Sequence, residues 1–401
     1  MSPKGKWSAL CLTGLAVVLT LTTWFSATAI LPELRQSLSL SPQDSAWLTN
    51  AVQMGFVAGA LVSAFLSLAD VVPLARLMAM ASVAAAVFNA VPLLEPGVAG
   101  VIAARFATGA ALALVYPPSL KFIATWFRTG RGLAMGAMVG ALTLGSALPH
   151  LLRALGSGIP WQLVLMVSSC ASVLAALLFG LVLREGPDRF APTKVDPRRI
   201  GAILRNRPVM LANLGYFGHM WELYAMWAWI FAYAAAAKSA GLPLENASFL
   251  AFAAIAMGAP GCVLAGWLAD RIGRCNTTAL AMTISGLSAL LIGLTFEGPL
   301  IAFVLVALVW GLTVVADSAQ FSAAVTELAD QTLVGSALAF QMGVGFAITI
   351  GMIWALPVIA EAVGSWRWTF LALVPGPVVG TLAMLTLRRL PEAARIAGGR
   401  R

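Results

Sequence analysis

Twelve apolar runs, each about as long as a lipid bilayer is thick, follow one another along this chain with little between them. A hydrocarbon core about 30 Å thick takes about 20 residues of helix. Backbone inside it must satisfy its own hydrogen bonds, so unbroken runs of this length are read as helices. They fall at 7–30, 45–68, 72–94, 98–126, 131–154 and 159–183, then at 209–236, 246–268, 275–296, 299–325, 332–359 and 366–387. Only 10% of the residues are charged against 60% apolar, whereas about a quarter of a soluble domain is charged. The expected fold is an all-α integral membrane protein with twelve transmembrane helices and the lipid bilayer as its solvent.

The remaining charges lie mostly between the spans. Residues 184–208 carry Arg184, Arg189, Lys194, Arg198, Arg199, Arg205 and Arg207 with four prolines. They read as a basic cytoplasmic linker joining an amino-terminal six-helix bundle at 1–183 to a carboxy-terminal one at 209–401, which ends in a short cytoplasmic tail. With the amino terminus inside, all of the 25 Lys and Arg except Arg35, Arg105, Arg153, Lys238 and Arg367 lie on the inner side. The positive-inside rule then places both termini in the cytoplasm of a bacterial inner membrane. An eleven-span reading would put the last two basic clusters on the wrong side. The net charge of +9 is thus a topology signal, not the clustered footprint of a nucleic-acid binder. Lys4 and Lys6 before an apolar run ending near Ala27-Thr28-Ala29 imitate a cleavable signal, but the charge pattern needs that run retained. Cys11, Cys170, Cys262 and Cys275 have no metal-ligand spacing, and no metal or cofactor is expected.

The two halves resemble each other. Leu68-Ala69-Asp70 recurs as Leu268-Ala269-Asp270, and ALPHLLRALGS at 147–157 recurs as ALPVIAEAVGS at 355–365, each followed by Trp161 or Trp366. Repeats of this kind are how many transporters are built. Between the eighth and ninth spans lies GWLADRIGR at 266–274, in which an acid meets helix ends and neighbouring arginines and Gly273 permits a tight reversal.

That segment resembles the signature loop of the major facilitator superfamily, with Gly266, Asp270, Arg271, Gly273 and Arg274 in the family's positions. Its first-half counterpart keeps Asp70 and Arg76 but lacks the glycines. Arg105 with Gly109 and Trp161 are similar to two further family motifs. The resemblance covers the whole chain and implies two six-helix bundles related by a pseudo-two-fold axis, a central cavity and alternating access. It also implies a conformational latch in the loop, to which Asp270 and Arg271 contribute more than Asp70 and Arg76. Small residues let helices approach closely. Gly55 and Gly59, Gly132 to Gly145, and Gly343, Gly345 and Gly351 lie on helices expected to meet across the bundle interface, with packing inside one bundle as the alternative. Gly145-Ser146-Ala147-Leu148-Pro149 matches the family's antiporter motif poorly, which argues against drug antiport. The chain is also broadly similar to the uptake branch of nitrate, nitrite and cyanate porters. It lacks arginine in 45–68 and 246–265, where nitrate porters are expected to carry it.

Ionisable groups at membrane depth cost at least about 2.5 kcal/mol each and are functional candidates by default. At about 1.5 Å per residue, His219 and Glu222 lie about 15 to 20 Å into the seventh span, near the bilayer middle and on one helix face. Glu222 is the first candidate for a proton-coupling carboxylate, with His219 as its partner; a structural pair is the plain alternative. Trp221 and Tyr224 beside them are candidates for a cavity wall. Asp317 interrupts the tenth span, and Tyr116-Pro117-Pro118 interrupts the fourth, freeing carbonyls. Arg105 on that helix is read as a structural or coupling arginine in preference to an anion site.

These features point to a monomeric secondary transporter of a small molecule or ion, coupled to protons. Without a nucleotide phosphate loop, ATP-driven pumping is not supported. Three alternatives remain in view: a copper or other metal importer using Met220, Met226 and Met257 near His219, a drug or metabolite efflux antiporter, and a non-transporting sensor. An enzyme would need a nucleophile and base or a metal cluster at one depth, and none is evident.

Overall fold

The computed structural model describes residues 5–127, 131–155, 160–187, 200–330 and 333–400, and among the described residues every regular element is a helix. Residues 188–199 of the segment read as a linker, and Lys4, Arg128 and Arg401, lie outside the described residues. The chain divides into two compact units, Met1–Thr193 and Lys194–Arg401.

The first unit holds six spans. The first is Lys6–Leu21 followed, after a break, by Ser26–Ala29; the second is Pro42–Phe65 and the third Leu74–Ala90. The fourth is split into Gly97–Leu112 and Tyr116–Ala124, the fifth is Arg131–Ala154, and the sixth is Trp161–Leu177 with a π-helical turn to Val182. In the second unit the seventh span runs unbroken over Arg207–Ser239, the eighth is Ala247–Ala256 with Gly258–Ile272, and the ninth is Arg274–Leu291. The tenth is Leu300–Val314 with Ser318–Leu328, the eleventh Val334–Val363, and the twelfth Thr369–Leu373 with Pro375–Arg389. Among the described residues, nine of these spans are long and apolar enough to cross a membrane on length and composition alone. The other three are the first, shortened by its break, and the seventh and ninth, which carry polar side chains described below.

Local chemistry explains several boundaries. Ser41 and Asp44 form a reciprocal capping box at the start of the second helix. Asn206 and Asn246 accept the Val209 and Phe249 amides to start the seventh and eighth. Pro117 and Pro118 have no amide hydrogen to give to the turn before them, so the fourth helix breaks at 113–115.

Glycine sets the closest helix approaches. A Cβ added at Gly55 would lie 1.9 Å from the Phe106 carbonyl oxygen, at Gly59 2.4 Å from that of Ala110, and at Gly109 2.0 Å from that of Val52. The second unit repeats the arrangement between its eighth and tenth helices, with Gly261 1.9 Å from the Leu312 oxygen and Gly311 1.7 Å from that of Ala254. Gly59 to Gly261, Gly109 to Gly311, and the breaks at 113–115 and 315–317 all share one offset of 202 residues. The internal repeat is therefore a repeat of packing. Gly55 and Gly59 pack on the fourth helix, Gly145 on Val18 and Gly345 on Tyr216, each inside its own unit. At these four positions the small residue admits a neighbour of the same bundle.

Gly109→Val and Gly311→Val are expected to lower the unfolding temperature in detergent by about 5 °C or more, the penalty of overpacking a close helix crossing. Gly343→Val, where an added side chain meets open space, should unfold with the wild type.

Candidate functional site

In the second unit, Asn213, Tyr216, His219 and Glu222 recur every three residues along the seventh helix and are all buried. This spacing forms a slowly turning polar stripe on one side of the helix. Three other helices supply partners. Glu222 Oε1 accepts a hydrogen bond from Ser285 Oγ of the ninth helix at 2.8 Å and one from the Trp310 indole of the tenth at 2.7 Å. His219 Nδ1 lies 2.9 Å from Asp317 Oδ1, where the tenth helix is interrupted. Gln341 of the eleventh donates to Asn213 at 3.1 Å and accepts from Ser322 at 3.0 Å. Phe321 and Tyr216 flank the imidazole, with ring centres 5.6 and 6.0 Å away.

The structure thus brings His219, Glu222 and Asp317 into one buried cluster. His219 Nδ1 lies against the Asp317 carboxyl group, while Glu222 is held by a hydroxyl and an indole. Counting charges, the cluster ranges from −2 with a neutral imidazole and two carboxylates to +1 with an imidazolium and two protonated carboxyls. Ser285 and Trp310 were not singled out from the sequence. An indole in mid-span, away from the interfacial belts where tryptophan collects, was the one available signal; Ser285 offers none.

Other candidates are placed differently. The Trp221 indole donates to the Ala372 carbonyl at 2.9 Å, fastening the seventh helix to the twelfth. Tyr224 is buried against Trp227 and Phe346. Tyr116 is half-buried at the restart of the fourth helix. Among the described residues no group of three His, Cys, Asp or Glu is arranged to hold a metal ion.

In the first unit Arg105 is 1% exposed. It donates to the Thr23 carbonyl at 3.0 Å, to Ser26 Oγ at 3.2 Å, to Asn89 Oδ1 at 3.0 Å and to the Trp24 carbonyl. Thr23 and Trp24 lie in the break of the first helix, so the guanidinium replaces the donors that the break removed. Asn89 also accepts from Ser26 at 2.6 Å and donates to Ser169 at 3.0 Å. On the second helix, Asn50 and Gln53 are buried with no hydrogen-bond partner for either amide among the described residues. A buried polar group left unpaired costs about 1–3 kcal/mol.

At the loop, Gly273 adopts φ 87° and starts the ninth helix. Arg274 forms a two-pronged pair with Glu327 at 3.0 and 2.8 Å and donates to Gln320 at 2.6 Å. Gln320 lies one turn beyond Asp317 on the tenth helix, so loop and buried cluster share one short helix. Arg271 stacks 3.8 Å over the Trp267 ring, Gly266 is buried, and Asp270 is exposed with its carbonyl accepting from Arg400. In the first-half counterpart Asp70 pairs with Lys121, and Arg76 is exposed.

The sequence model of the Major Facilitator Superfamily matches residues 13–342. An MFS-type transporter of Gibberella moniliformis is 29% identical over 196 residues, 46% of this chain and 44% of that one. The hexuronate transporter of Escherichia coli is 24% identical over 286 residues, 66% and 65% of the two chains. The chain spans about half the length of the fungal relatives it matches first. Among solved structures, the partially occluded, inward-open xylose transporter XylE of E. coli has a TM-score of 0.72 at 15% identity, over 95% of this chain and 99% of that one. The nucleoside transporter NupG has a TM-score of 0.72 at 13% identity, over 94% and 99%. Both share the fold.

Arg105→Lys should unfold measurably earlier than wild type in a detergent thermal melt, by an amount corresponding to about 2 kcal/mol or more. A single ammonium cannot reach the four acceptors of the guanidinium fork, and charged buried hydrogen bonds are worth about 1.5–3 kcal/mol each. An unchanged melting curve would mean that Arg105 does not hold the break.

Proposed function

Because the chain belongs to the major facilitator superfamily, a multi-pass membrane transporter and not an enzyme, we propose that it moves its small solute by coupling to protons held at Glu222, His219 and Asp317. The observation that carries this reading is a buried carboxyl group, Glu222, whose hydrogen-bond partners are both neutral. An indole N–H only donates, so Trp310 can hold Glu222 through an oxygen whether or not the carboxyl carries a proton. The Ser285 hydroxyl donates or accepts and can turn to suit either state. Glu222 can therefore gain or lose a proton without losing its position.

Coupling needs the proton to bias one access state over another. Asp317 stands at the start of the helix Ser318–Leu328, whose Gln320 and Glu327 bind Arg274 of the signature loop. A change of charge at His219 and Asp317 reaches the loop along this short rigid element. Arg274 is thus the loop residue best placed to act as the latch, beside Asp270 and Arg271, and Asp70 with Lys121 is its first-unit counterpart.

The substrate is read as a small organic solute taken up across a bacterial inner membrane by a monomer with both termini cytoplasmic, as in the uptake branch. The relatives named for hexuronate, xylose and nucleosides support an organic solute.

The test is uptake in proteoliposomes across a panel of sugars, organic anions, amines and metal ions with an imposed proton gradient. Glu222→Gln keeps the hydrogen-bond acceptor but cannot release a proton. Its gradient-driven accumulation is expected to fall at least about tenfold, a loss of about 1.4 kcal/mol of coupling, while solute exchange continues. Full accumulation by this variant would remove Glu222 from the coupling role. Ser285→Ala should lower accumulation by a smaller factor, since Trp310 still holds the carboxyl.

A further inference from the structure

The second helix of the first unit carries two primary amides that the fold does not use. Asn50 and Gln53 are 1% and 0% exposed, and neither the oxygen nor the nitrogen of either amide has a hydrogen-bond partner among the described residues. Buried amides elsewhere in the protein are engaged: Asn89 bonds Arg105, Ser26 and Ser169, and Asn213 and Gln341 bond each other. Buried polar side chains are overwhelmingly paired, so two adjacent amides left open mark a place where something else is bound.

Their neighbours locate them. One residue before Asn50, Thr49 Oγ1 lies 3.0 Å from Thr28 Oγ1, and three residues after Gln53, the Phe56 ring packs 5.0 Å from Trp24. Trp24 lies in the break of the first helix, and Thr28 lies in the short helix that follows it. Gly55 and Gly59 occupy the side of the second helix that presses on the fourth. The amides therefore lie on the side that turns from the fourth helix toward the break in the first.

Each amide offers two donors and an acceptor in one plane. A hydroxyl both gives and takes a hydrogen bond, so adjacent hydroxyls on a small solute match this pair. Trp24 and Phe56 add an apolar surface for the C–H face of such a solute, the usual mix of a few convergent polar groups with aromatic lining. Charge points the same way. The Arg105 terminal nitrogens already donate to Thr23, Trp24, Ser26 and Asn89, its Nε is buried without a partner, and the two amides carry no charge to meet a carboxylate or phosphate.

We propose that Asn50 and Gln53 form a hydrogen-bonding site for a neutral, polyhydroxylated solute in the first unit. The proposal rests on the transporter reading and adds to it the chemical class of the solute, yet it is tested separately from proton coupling. The full chain in detergent is titrated with D-xylose, D-glucose, myo-inositol and uridine, with D-glucuronate as the anionic counterpart. Unfolding temperature and calorimetric affinity are recorded for wild type, Asn50→Leu, Gln53→Leu and Leu305→Ala.

At least one neutral probe is expected to raise the wild-type unfolding temperature. Both leucine variants should weaken its binding about tenfold or more, whereas Leu305→Ala, at an exposed position on the tenth helix, should bind it within a few-fold of wild type. Removing an unpaired buried amide is not expected to prevent folding; should either leucine variant fail to fold, Asn50→Ala and Gln53→Met are measured against the same criterion. The proposal is overturned if no neutral probe binds, if only D-glucuronate binds, or if affinity is unchanged in both variants, which would leave the amides holding structural water. Normal accumulation by Glu222→Gln would refute the coupling role alone and leave this result standing.

Discussion

The hydrocarbon core of a membrane offers no hydrogen bonds, and the polar features of both units follow from that constraint. Wherever a helix is interrupted, its freed groups have to be answered from a neighbouring helix. The break in the first helix is answered by Arg105 of the fourth, whose charge is held by two backbone carbonyls and two side-chain oxygens. At the break in the tenth helix, the Asp317 side chain is answered by His219 of the seventh. Each break thus becomes a point at which two helices are tied, and the strongest polar groups of each unit gather there.

Between these ties the helices pack on glycine. Carbonyl oxygens of one helix lie where a methyl group would otherwise stand at Gly55, Gly59 and Gly109, and again at Gly261 and Gly311. Approach this close also permits weak Cα–H to carbonyl contacts, worth about 0.5–1 kcal/mol each. It gives rigid helix pairs, and rigidity matters for the tenth helix, because its second half joins Asp317 to Gln320 and Glu327 and through them to Arg274. A flexible connector would dissipate a change at Asp317 before it reached the loop.

How much of this was legible in the sequence depended on how local its cause was. The twelve spans were readable because the bilayer imposes their length, and the fourth-helix break because Pro117 and Pro118 cause it on the spot. The break at 22–25 contains neither proline nor glycine; the side chain that sustains it, Arg105, is some eighty residues away. His219, Glu222 and Asp317 stood out because ionisable groups are costly at membrane depth. Their partners Ser285 and Trp310 did not, since serine and tryptophan are cheap enough in a helix to go unnoticed. Asn50 and Gln53 escaped notice for a related reason: an amide in an apolar run looks like a packing residue until the absence of its partner is seen. The glycine faces were visible, but periodicity does not say which neighbour a face meets.

The packing repeat makes the difference between the units informative. Both descend along the same helix pairs at one offset of 202 residues, so a difference at corresponding depth reflects a difference in task. The first unit spends its buried charge on backbone carbonyls, which cannot titrate, and an arginine is always protonated. That arrangement is a fixed brace. In the second unit the seventh helix is unbroken and frees no carbonyls, so its acid is met by side-chain donors that tolerate either protonation state. Two carboxyls and an imidazole there can change charge, whereas the open amides of the first unit are neutral at every accessible pH. Division of labour follows from these functional groups alone, with the titrating chemistry in one half of the duplication and uncharged hydrogen bonding in the other.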